Sequence, residues 1–498
     1  MLTLLANAAS FTPPQIDFYE LIPIAILGFL VAATLCLELK DDDSPVIEDG
    51  GVPHRPTVLS LGAISLVALL GYYLSYKGGS VGLTFNGMLY SDILARGAGV
   101  LITLCALLAI LAGPDELEYH RNKRGGEFCA LIFASSLGMI MMASAANTMV
   151  IFLGLELFSI ALYLLCIFFP DRETSRESGM KYFILSSAAS AVMLYGFALL
   201  YGATGSTWIY EMRASGPADS NLYLIGIVLV VCGLLFKLAI APFHFWAPDV
   251  YQGAPTTVTA FMSVATKVAA LTALWRFVDL LGQQGPGEVV NLVLISLSAL
   301  SILLGNFMAL AQKNVKRMLA YSGVANAGYL LIAPAIWIDM KNAMMLFLAT
   351  YLVGNVGAFL AVAQAEAYCG KELERSDLRG LFQRQPWLAG SLALCLVSLT
   401  GLPPAAGFMG KFYLFGQAIA TGRLALPLIG IVGSLLGAGY YIGTAIQLFS
   451  APEEGSEESQ IGQEPSTVAL TALGLCCAGV VVLGFAPNLF LNWFAGGF

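Results

Sequence analysis

Residues 222–255 read LYLIGIVLVVCGLLFKLAIAPFHFWAPDVYQGAP; this stretch begins as an apolar membrane helix and cannot continue as one. Lys237 is alone in the apolar run, and Pro242, Pro248 and Pro255 follow it. A proline inside a helix removes a backbone hydrogen bond, and hydrocarbon tolerates freed backbone groups only where protein buries them or a wet cavity receives them. A charged residue at the centre of a membrane helix costs about 2.5–3.5 kcal/mol on insertion scales. A helix break and an intramembrane charge in one stretch therefore indicate an ion path.

The rest of the chain is predicted to be an all-α polytopic membrane protein. Of its 498 residues, 58% are hydrophobic and 11% are charged, whereas soluble domains carry about 25% charged residues. A spanning helix needs about 20 mostly apolar residues, and fourteen such segments can be counted. They lie near residues 18–39, 57–76, 92–112, 127–144, 146–169, 180–204, 221–242, 256–281, 288–311, 316–338, 342–368, 386–421, 424–449 and 466–490. Nucleic acid is not a plausible partner for such a chain; the lipid bilayer is.

The seventh and twelfth segments are the two that are interrupted. The twelfth is too long for one span and contains Gly401-Leu402-Pro403-Pro404. The two lie five spans apart, so they cross the membrane in opposite directions, which is typical of inverted repeats with a site at the midplane. We predict one integral membrane domain over residues 1–498. It consists of flanking helices one to three (1–126), a first repeat of spans four to eight (127–281), a second repeat of spans nine to thirteen (288–449), and a final loop and helix (450–498).

Basic residues predict the orientation, because lysine and arginine are enriched in cytoplasmic loops. With an outside N-terminus, the inside loops hold fifteen basic residues and the outside loops four, namely Lys77, Arg213, Lys341 and Arg423. Both termini are therefore predicted to face the periplasm of a bacterial inner membrane. The N-terminal sequence has no basic region ahead of its short apolar run, so it does not have the pattern of a cleaved signal peptide.

No cofactor site is evident in the sequence. The nine cysteines form no CxxC pair, and His54, His120 and His244 are far apart in the chain, so iron–sulfur, haem and zinc patterns are not found. Gly410-Lys411 resembles the end of a phosphate-binding loop, but Ala405 and Phe412 do not fit that pattern. We expect no cofactor and no metal in this chain.

Ionisable residues within the predicted spans are the candidate functional residues. Intramembrane charges of this kind commonly form proton relays. The candidates are Glu156, Lys181, Lys237, His244, Lys267 and Lys411. Alternatives stay open for several of them: Glu156 as a structurally paired carboxyl, Lys181 as an orientation anchor, His244 as a packing residue and Lys411 as a lysine reaching the headgroups. Arg96, Arg276 and Asp279 lie near span ends, and we expect them to extend to the membrane surface.

Lys181 opens the predicted sixth span, and it can point inward to meet Glu156 from the fifth. A lysine beside a deep glutamate favours its charged form, and moving that lysine away favours the protonated form. Lys237 and Lys267 lie in mid-span, and burial favours loss of the ammonium proton. The sequence thus predicts a lateral string of proton carriers at mid-membrane depth.

Several stretches resemble a known family. The runs KLAIAPFHFWAPDVYQGAPTTVTAFMSVATKVAAL, KRMLAYSGVANAGYLL, GLPPAAGFMGKFYLF, LGLELFSIALYLL and GMKYFILSSAASAVMLYG are similar to the antiporter-like, proton-translocating subunits of bacterial NADH–quinone oxidoreductase, respiratory complex I. Lys267 stands where the L, M and Mrp-type members carry histidine, which favours the subunit N type. The usual histidine of the tenth-span motif is Asn326 here.

The resemblance implies fourteen helices in two inverted five-helix repeats, with breaks in spans seven and twelve. It implies that Glu156 and Lys181 form a gating pair, that Lys237 is the proton carrier of the first half, and that Lys267 connects it to Lys411 on the exit side. NADH, FMN, iron–sulfur clusters and quinone are then expected in partner subunits, and the partners include other membrane subunits of complex I. The alternatives are a subunit of an Mrp-type antiporter or a membrane-bound hydrogenase and, from another class, a structural scaffold that binds quinone or lipid.

The predicted orientation can be tested by labelling. With the native cysteines replaced, a cysteine introduced at Asp219 should react with an impermeant thiol reagent from the periplasmic side. A cysteine at Ser376 should react from the cytoplasmic side alone, because it follows a loop rich in basic residues. The reverse pattern of labelling would overturn the assigned topology.

Overall fold

The computed structural model describes residues 18–41, 55–75, 82–120, 122, 124–215, 221–281, 287–336, 339–451 and 463–495. Within these residues, thirteen helices are long and apolar enough to cross a membrane, and one further span consists of two short helices. This confirms the all-α polytopic class. The spans are numbered here as in the sequence prediction.

Spans 1 to 7 follow one another along the chain and are joined by short connections. Their helices are Phe18–Asp41, Arg55–Ser75, Ile93–Tyr119, Gly125–Ser144, Thr148–Cys166, Glu173–Thr204 and Asn221–Leu238, the last continued after a break by Trp246–Gly253. Span 6 begins at Glu173, about two turns before its predicted start, so Lys181 lies inside the helix and does not open it.

Spans 8 to 14 comprise the second half of the chain. Their helices are Thr256–Leu281, Gly287–Leu310, Val315–Ile336, Lys341–Cys369, the pair Pro386–Thr400 and Ala406–Ala420, Ala425–Phe449 and Thr467–Phe485. Short helices lie outside the spans at Ile209–Ser215, Leu381–Arg384 and Pro487–Phe494, with a 3-10 turn at Arg375–Leu378.

A small hairpin between spans 2 and 3 was not predicted from the sequence. Strands β1 (Gly82–Thr84) and β2 (Leu89–Ser91) pair antiparallel. Asn86 and Gly87 in its turn both have positive φ angles, 54° and 83°, and the Asn-Gly dipeptide is a strong turn signal because both residues accept that geometry. The hairpin is too short to alter the fold class.

Both predicted helix breaks are present. Span 7 stops at Leu238 and its second helix starts at Trp246. The Trp246 indole donates to the Phe236 carbonyl (3.1 Å), and the Ala241 amide donates to the Ser301 hydroxyl (2.9 Å). Span 12 stops at Thr400, where Gly401 adopts a left-handed φ of 86°. The backbone groups freed at the span 7 break thus find partners inside the protein, as a hydrocarbon surrounding requires.

Spans 8, 10 and 11 form the centre of the bundle. In each of these three helices every residue of the most apolar stretch is buried, whereas buried residues are a minority in the corresponding stretches of spans 1 and 6. Phe29 and Leu435, on outer spans, are each 71% exposed. The breaks occupy the fourth place in each group of five spans, although the division into two inverted repeats at the stated domain boundaries stays a prediction.

Arg276 does not reach the membrane surface, contrary to expectation. It is 8% exposed and forms a two-pronged ion pair with Asp92 at 2.7 and 2.9 Å. Burial raises the pKa of Asp92, but the Arg276 guanidinium outweighs burial and holds that pKa below its usual range. This pair ties the end of span 8 to the start of span 3, because a buried arginine needs such a partner. The side chain of Asp279 lies outside the described residues.

The close contact between spans 4 and 5 predicts that enlarging a glycine side chain there lowers the stability of the protein. A Cβ added at Gly138 would lie 2.6 Å from both the Gly154 carbonyl oxygen and the Phe158 amide nitrogen, and neither backbone atom can yield cheaply. We expect Gly138→Ala to destabilise the protein by about 1–3 kcal/mol through overpacking. The measurement is the midpoint of thermal unfolding of the detergent-solubilised protein. The matched control is Gly474→Ala, whose Cβ meets open space; an equal loss in both variants would contradict the packing argument.

Candidate functional site

Three lysines are buried in the membrane interior. Lys237, Lys267 and Lys411 are 2%, 1% and 8% exposed. Across the part of the chain that the structure describes, none of these ammonium groups forms an ion pair with a carboxylate. Each is held by neutral oxygens and aromatic rings, which solvate an ammonium less well than water does. Such a setting favours loss of the proton, and that is the property that a proton carrier needs.

Lys237 lies near the end of the first helix of span 7. Its ammonium donates to the Ser159 hydroxyl (2.7 Å) on span 5 and to the Ser186 hydroxyl on span 6. The rings of Tyr163 and Tyr182 lie 6.0 and 5.6 Å from the nitrogen. Three spans therefore meet at this lysine, and both of its hydroxyl partners can also accept or pass on a proton.

Lys267 lies in mid-span on span 8. Its ammonium donates to the Ser263 carbonyl, one turn earlier, at 2.9 Å. The rings of Tyr251 and Tyr351 lie 5.7 and 6.0 Å away. The Asn355 amide of span 11 donates to the Ser263 hydroxyl (2.7 Å), so polar groups of two spans converge below this lysine.

Lys411 lies beside the break of span 12. Its ammonium donates to the carbonyls of Leu399 (3.2 Å) and Thr400 (3.0 Å), which end the first half of the broken span. The carbonyl end of a helix carries partial negative charge and favours a cation. The Tyr329 ring lies 5.1 Å away. The helix break therefore supplies the ligands of the lysine, and the lysine does not reach the headgroups.

Further polar side chains form hydrogen bonds near Lys411 and on the neighbouring spans, and of these the sequence reasoning named only Asn326. The Tyr440 hydroxyl donates to Asn306 (3.0 Å), and Asn306 donates to the Tyr329 hydroxyl (3.2 Å) beneath Lys411. The Asn326 amide lies 3.4 Å from the Tyr441 hydroxyl. Tyrosine and asparagine in apolar runs are the only sequence signal for this group, because the two partners are far apart in the chain.

Lys181 and Glu156 do not meet in this structure, which corrects the predicted contact. The Lys181 ammonium lies 2.7 Å from Glu177, one turn earlier on span 6, and 2.9 Å from Asp249. The second Asp249 oxygen lies 2.6 Å from Arg317 of span 10. Glu156 retains a buried oxygen with no hydrogen-bond partner. The carboxylates of Glu177 and Asp249 hold Lys181, and the gating role of the predicted pair stays a prediction.

His244 lies in the break of span 7 and is 4% exposed. Its ring centroid lies 4.8 Å from that of Phe245 and 6.3 Å from that of Tyr321, while its Nδ1 atom has no hydrogen-bond partner. The ring packing fits the structural alternative, and the unpartnered nitrogen fits a proton-carrying role. His244 stays a candidate.

Two further charged groups, which the sequence analysis did not single out, are buried. Lys316 is 1% exposed and pairs with Glu366 at 3.5 Å. Glu116, near the end of span 3, accepts hydrogen bonds from the amides of Thr256 (2.6 Å) and Thr257 (2.9 Å). A carboxylate at the N-terminus of a helix is stabilising, so Glu116 caps span 8. The Pro-Thr-Thr start of span 8 was the only sequence signal that a cap was needed.

Comparison with known proteins identifies relatives. Residues 145–437 match the family model described as "NADH:quinone oxidoreductase/Mrp antiporter, TM". NADH-quinone oxidoreductase subunit N 1 of Symbiobacterium thermophilum is 38% identical over 86% of this chain and 89% of its own length. Subunit N of Cytophaga hutchinsonii is 37% identical over 95% and 98%. A chain of respiratory complex I from Thermus thermophilus has a TM-score of 0.78 and 32% identity, covering 96% of this chain and all of its own.

The unpaired lysines generate a stability prediction. Methionine has a similar length and needs no solvation, so Lys411→Met should leave the thermal unfolding midpoint unchanged or raise it, because replacing a buried charge by a packed apolar residue is often neutral or stabilising. The matched comparison is Arg276→Met, which strands the buried Asp92 carboxylate and should lower stability by about 3–5 kcal/mol. A large loss of stability for Lys411→Met would show that the lysine is held for structural reasons.

Proposed function

The chain belongs to the NADH:quinone oxidoreductase/Mrp antiporter transmembrane family, and on that premise we propose that it is a proton-translocating membrane subunit of a NADH–quinone oxidoreductase, of the kind named subunit N in its relatives. The observation that carries the proposal is the set of three buried lysines that have no carboxylate partner among the described residues. A scaffold that only binds quinone or lipid has no use for such groups, since each lowers the stability of the bundle.

The proposed work of this chain is vectorial proton transfer. Lys237, Lys267 and Lys411 each take up and release one proton in turn, and the hydroxyls and amides around them, with water, carry protons between them. Lys237 and Lys267 carry protons within the first half of the chain. Lys411, whose ammonium is bound by the carbonyl end of a broken helix, carries them to the exit side. Electron transfer from NADH to quinone in partner subunits drives the cycle.

Lys181 and Glu156 are proposed as the switch of this cycle. In the present arrangement Lys181 is held by Glu177 and Asp249, away from Glu156. Movement of Lys181 toward Glu156 would favour the charged form of that carboxylate, which interacts electrostatically with Lys237, and would thereby favour the charged form of Lys237. The return of Lys181 to Asp249 would release the proton held on Lys237.

The proposed partners and location follow from the same family. The chain assembles with other membrane subunits of complex I, and its outer apolar side chains, such as Phe29 and Leu435, face lipid or those subunits. NADH, FMN, iron–sulfur clusters and quinone belong to the partner subunits. The location is the bacterial inner membrane, with both termini in the periplasm as the basic residues predict.

The proposal is tested by comparing proton uptake between variants that carry arginine or alanine in place of Lys237. Arginine keeps the positive charge but effectively never deprotonates in proteins. We expect Lys237→Arg to lower proton uptake about tenfold or more, within the range that general acid–base groups contribute. The measurements are NADH:quinone reductase activity and proton uptake in membrane vesicles, both normalised to assembled complex.

A structural cation at position 237 predicts the opposite ranking, with arginine tolerated and alanine not. Lys313→Arg, at the end of span 9 on the predicted cytoplasmic side, is the matched control and should change proton uptake less than about twofold, since exposed charges contribute little. Wild-type pumping by a well-assembled Lys237→Arg complex would remove Lys237 from the proton path.

A further inference from the structure

Glu366, near the end of span 11, combines a buried ion pair with an unused oxygen. One carboxylate oxygen accepts a hydrogen bond from the Thr256 hydroxyl (2.6 Å) and lies 3.5 Å from the Lys316 ammonium. The other oxygen is buried and has no hydrogen-bond partner among the residues that the structure describes. Lys316 is 1% exposed and the Glu366 side chain 13% exposed. A buried carboxylate oxygen without a partner is unusual and calls for a ligand such as water or a proton.

The same carboxylate lines a cavity of about 460 Å³. The walls come from the ends of spans 3 and 11 and from the connections that follow spans 5 and 11, and they include Glu116, His120, Arg172 and Glu372. Arg172 forms an ion pair with Glu372 at 3.0 Å, and this pair joins two walls of the cavity at its rim. Burial lowers the pKa of His120 at this rim. The cavity is polar and large enough to hold several waters, and it lies on the side that the proposed topology assigns to the cytoplasm.

A polar seam leads from Glu366 toward Lys267 along spans 8 and 11. On span 8, Thr256, Ser263 and Lys267 recur at intervals of seven and four residues, which places them on one helix face. On span 11, Tyr351, Asn355 and Glu366 are spaced four and eleven residues apart and share a face for the same reason.

The two faces touch at three levels. Thr256 donates to Glu366, Asn355 donates to Ser263, and the Lys267 ammonium lies 6.0 Å from the Tyr351 ring. The Asn355 side-chain oxygen and the Tyr351 hydroxyl are buried and have no hydrogen-bond partner within the described part of the chain. Asn355 is fully buried and Tyr351 is 3% exposed. These atoms have spare capacity to bind a water or a proton in transit, next to Lys267.

Aromatic rings line one segment of the seam. Thr256 and Ser263 are about 10 Å apart along the helix. On span 11, Phe359 lies between Asn355 and Glu366 in the sequence, and its ring contacts that of Tyr251, with centroids 6.1 Å apart. Passage of protons along this segment therefore requires water between the two spans.

We infer that Glu366 is the proton-loading residue of this chain, which takes protons from the cavity and passes them along the seam between spans 8 and 11 to Lys267. This inference rests on the proposed function. The free carboxylate oxygen forms an O–H bond with a proton from cavity water. That bond breaks as the neutral amine of Lys267 gains the proton through intervening water, and the carboxylate pairs with Lys316 again.

The test is Glu366→Gln in the assembled complex, with proton uptake and NADH:quinone reductase activity measured in membrane vesicles. Glutamine keeps the shape and the hydrogen bonds but cannot carry a proton, so we expect uptake to fall about tenfold or more. Glu366→Asp should retain most of the activity. The control is Glu127→Gln, which removes an exposed carboxylate from the proposed cytoplasmic face and should change uptake less than about twofold. Wild-type uptake by Glu366→Gln would overturn the assignment.

A purely structural role for Glu366 is separated by the double variant Glu366→Gln/Lys316→Met. If Glu366 only neutralises Lys316, removal of both charges should restore uptake, because no unpaired buried ammonium remains. If Glu366 loads protons, the double variant stays as impaired as Glu366→Gln. Restored uptake would therefore contradict the inference.

Lys267→Arg, measured in the same assay, distinguishes the inference from the proposed function. If Lys267→Arg is impaired while Glu366→Gln is not, the lysine path stands and the loading residue lies elsewhere. If Lys267→Arg also pumps at the wild-type rate, the proposed proton path itself fails.

Discussion

Polar groups inside this bundle need partners in the protein or in water that the protein encloses, because hydrocarbon offers none. That constraint explains why the helix breaks and the buried lysines occur together. A break exposes carbonyls, and an ammonium needs acceptors. At span 12 the two needs are met at once, since the carbonyls of Leu399 and Thr400 hold Lys411. At span 7 the freed carbonyl of Phe236 is taken by Trp246, while Lys237, next in the chain, uses serines of two neighbouring spans.

The constraint also separates two kinds of charge in the molecule. Arg276 with Asp92, and Arg172 with Glu372, are matched with carboxylates at short distance and tie elements together. Lys237, Lys267 and Lys411 have no such partner in the part of the chain that the structure describes. Paired charges fix a structure, whereas unpaired buried charges lower stability and are retained for what they do. The pair of Glu366 and Lys316 is intermediate between the two kinds. The ammonium nitrogen and the nearer carboxylate oxygen are 3.5 Å apart, and the second carboxylate oxygen does not take part in the pair.

Much of this organisation could be predicted from the sequence. Hydrophobicity over about 20 residues indicated the spans, and prolines and glycines indicated the breaks, because these signals are local. The burial of Lys237 and Lys267 follows from their depth in apolar runs.

The partners of the charged side chains could not be predicted in the same way. Lys181 meets Asp249, 68 residues away, and not Glu156. Arg276 meets Asp92, 184 residues away. Lys316 resembles a loop residue in sequence and is buried only because spans 8, 10 and 11 form the centre. Such pairings depend on the tertiary arrangement, which local patterns do not encode.

The central claim is that the unpaired lysines carry protons and do not serve the stability of the bundle. The most direct measurement is the number of protons moved for each electron pair delivered to quinone by a complex that carries Lys267→Met, reconstituted in vesicles. Methionine cannot bind a proton, and its side chain packs without an acceptor. The account predicts a complex that assembles and is at least as stable as the wild type, with fewer protons moved per electron pair or with both reactions stopped. An assembled Lys267→Met complex that moves the wild-type number of protons at the wild-type rate would contradict it.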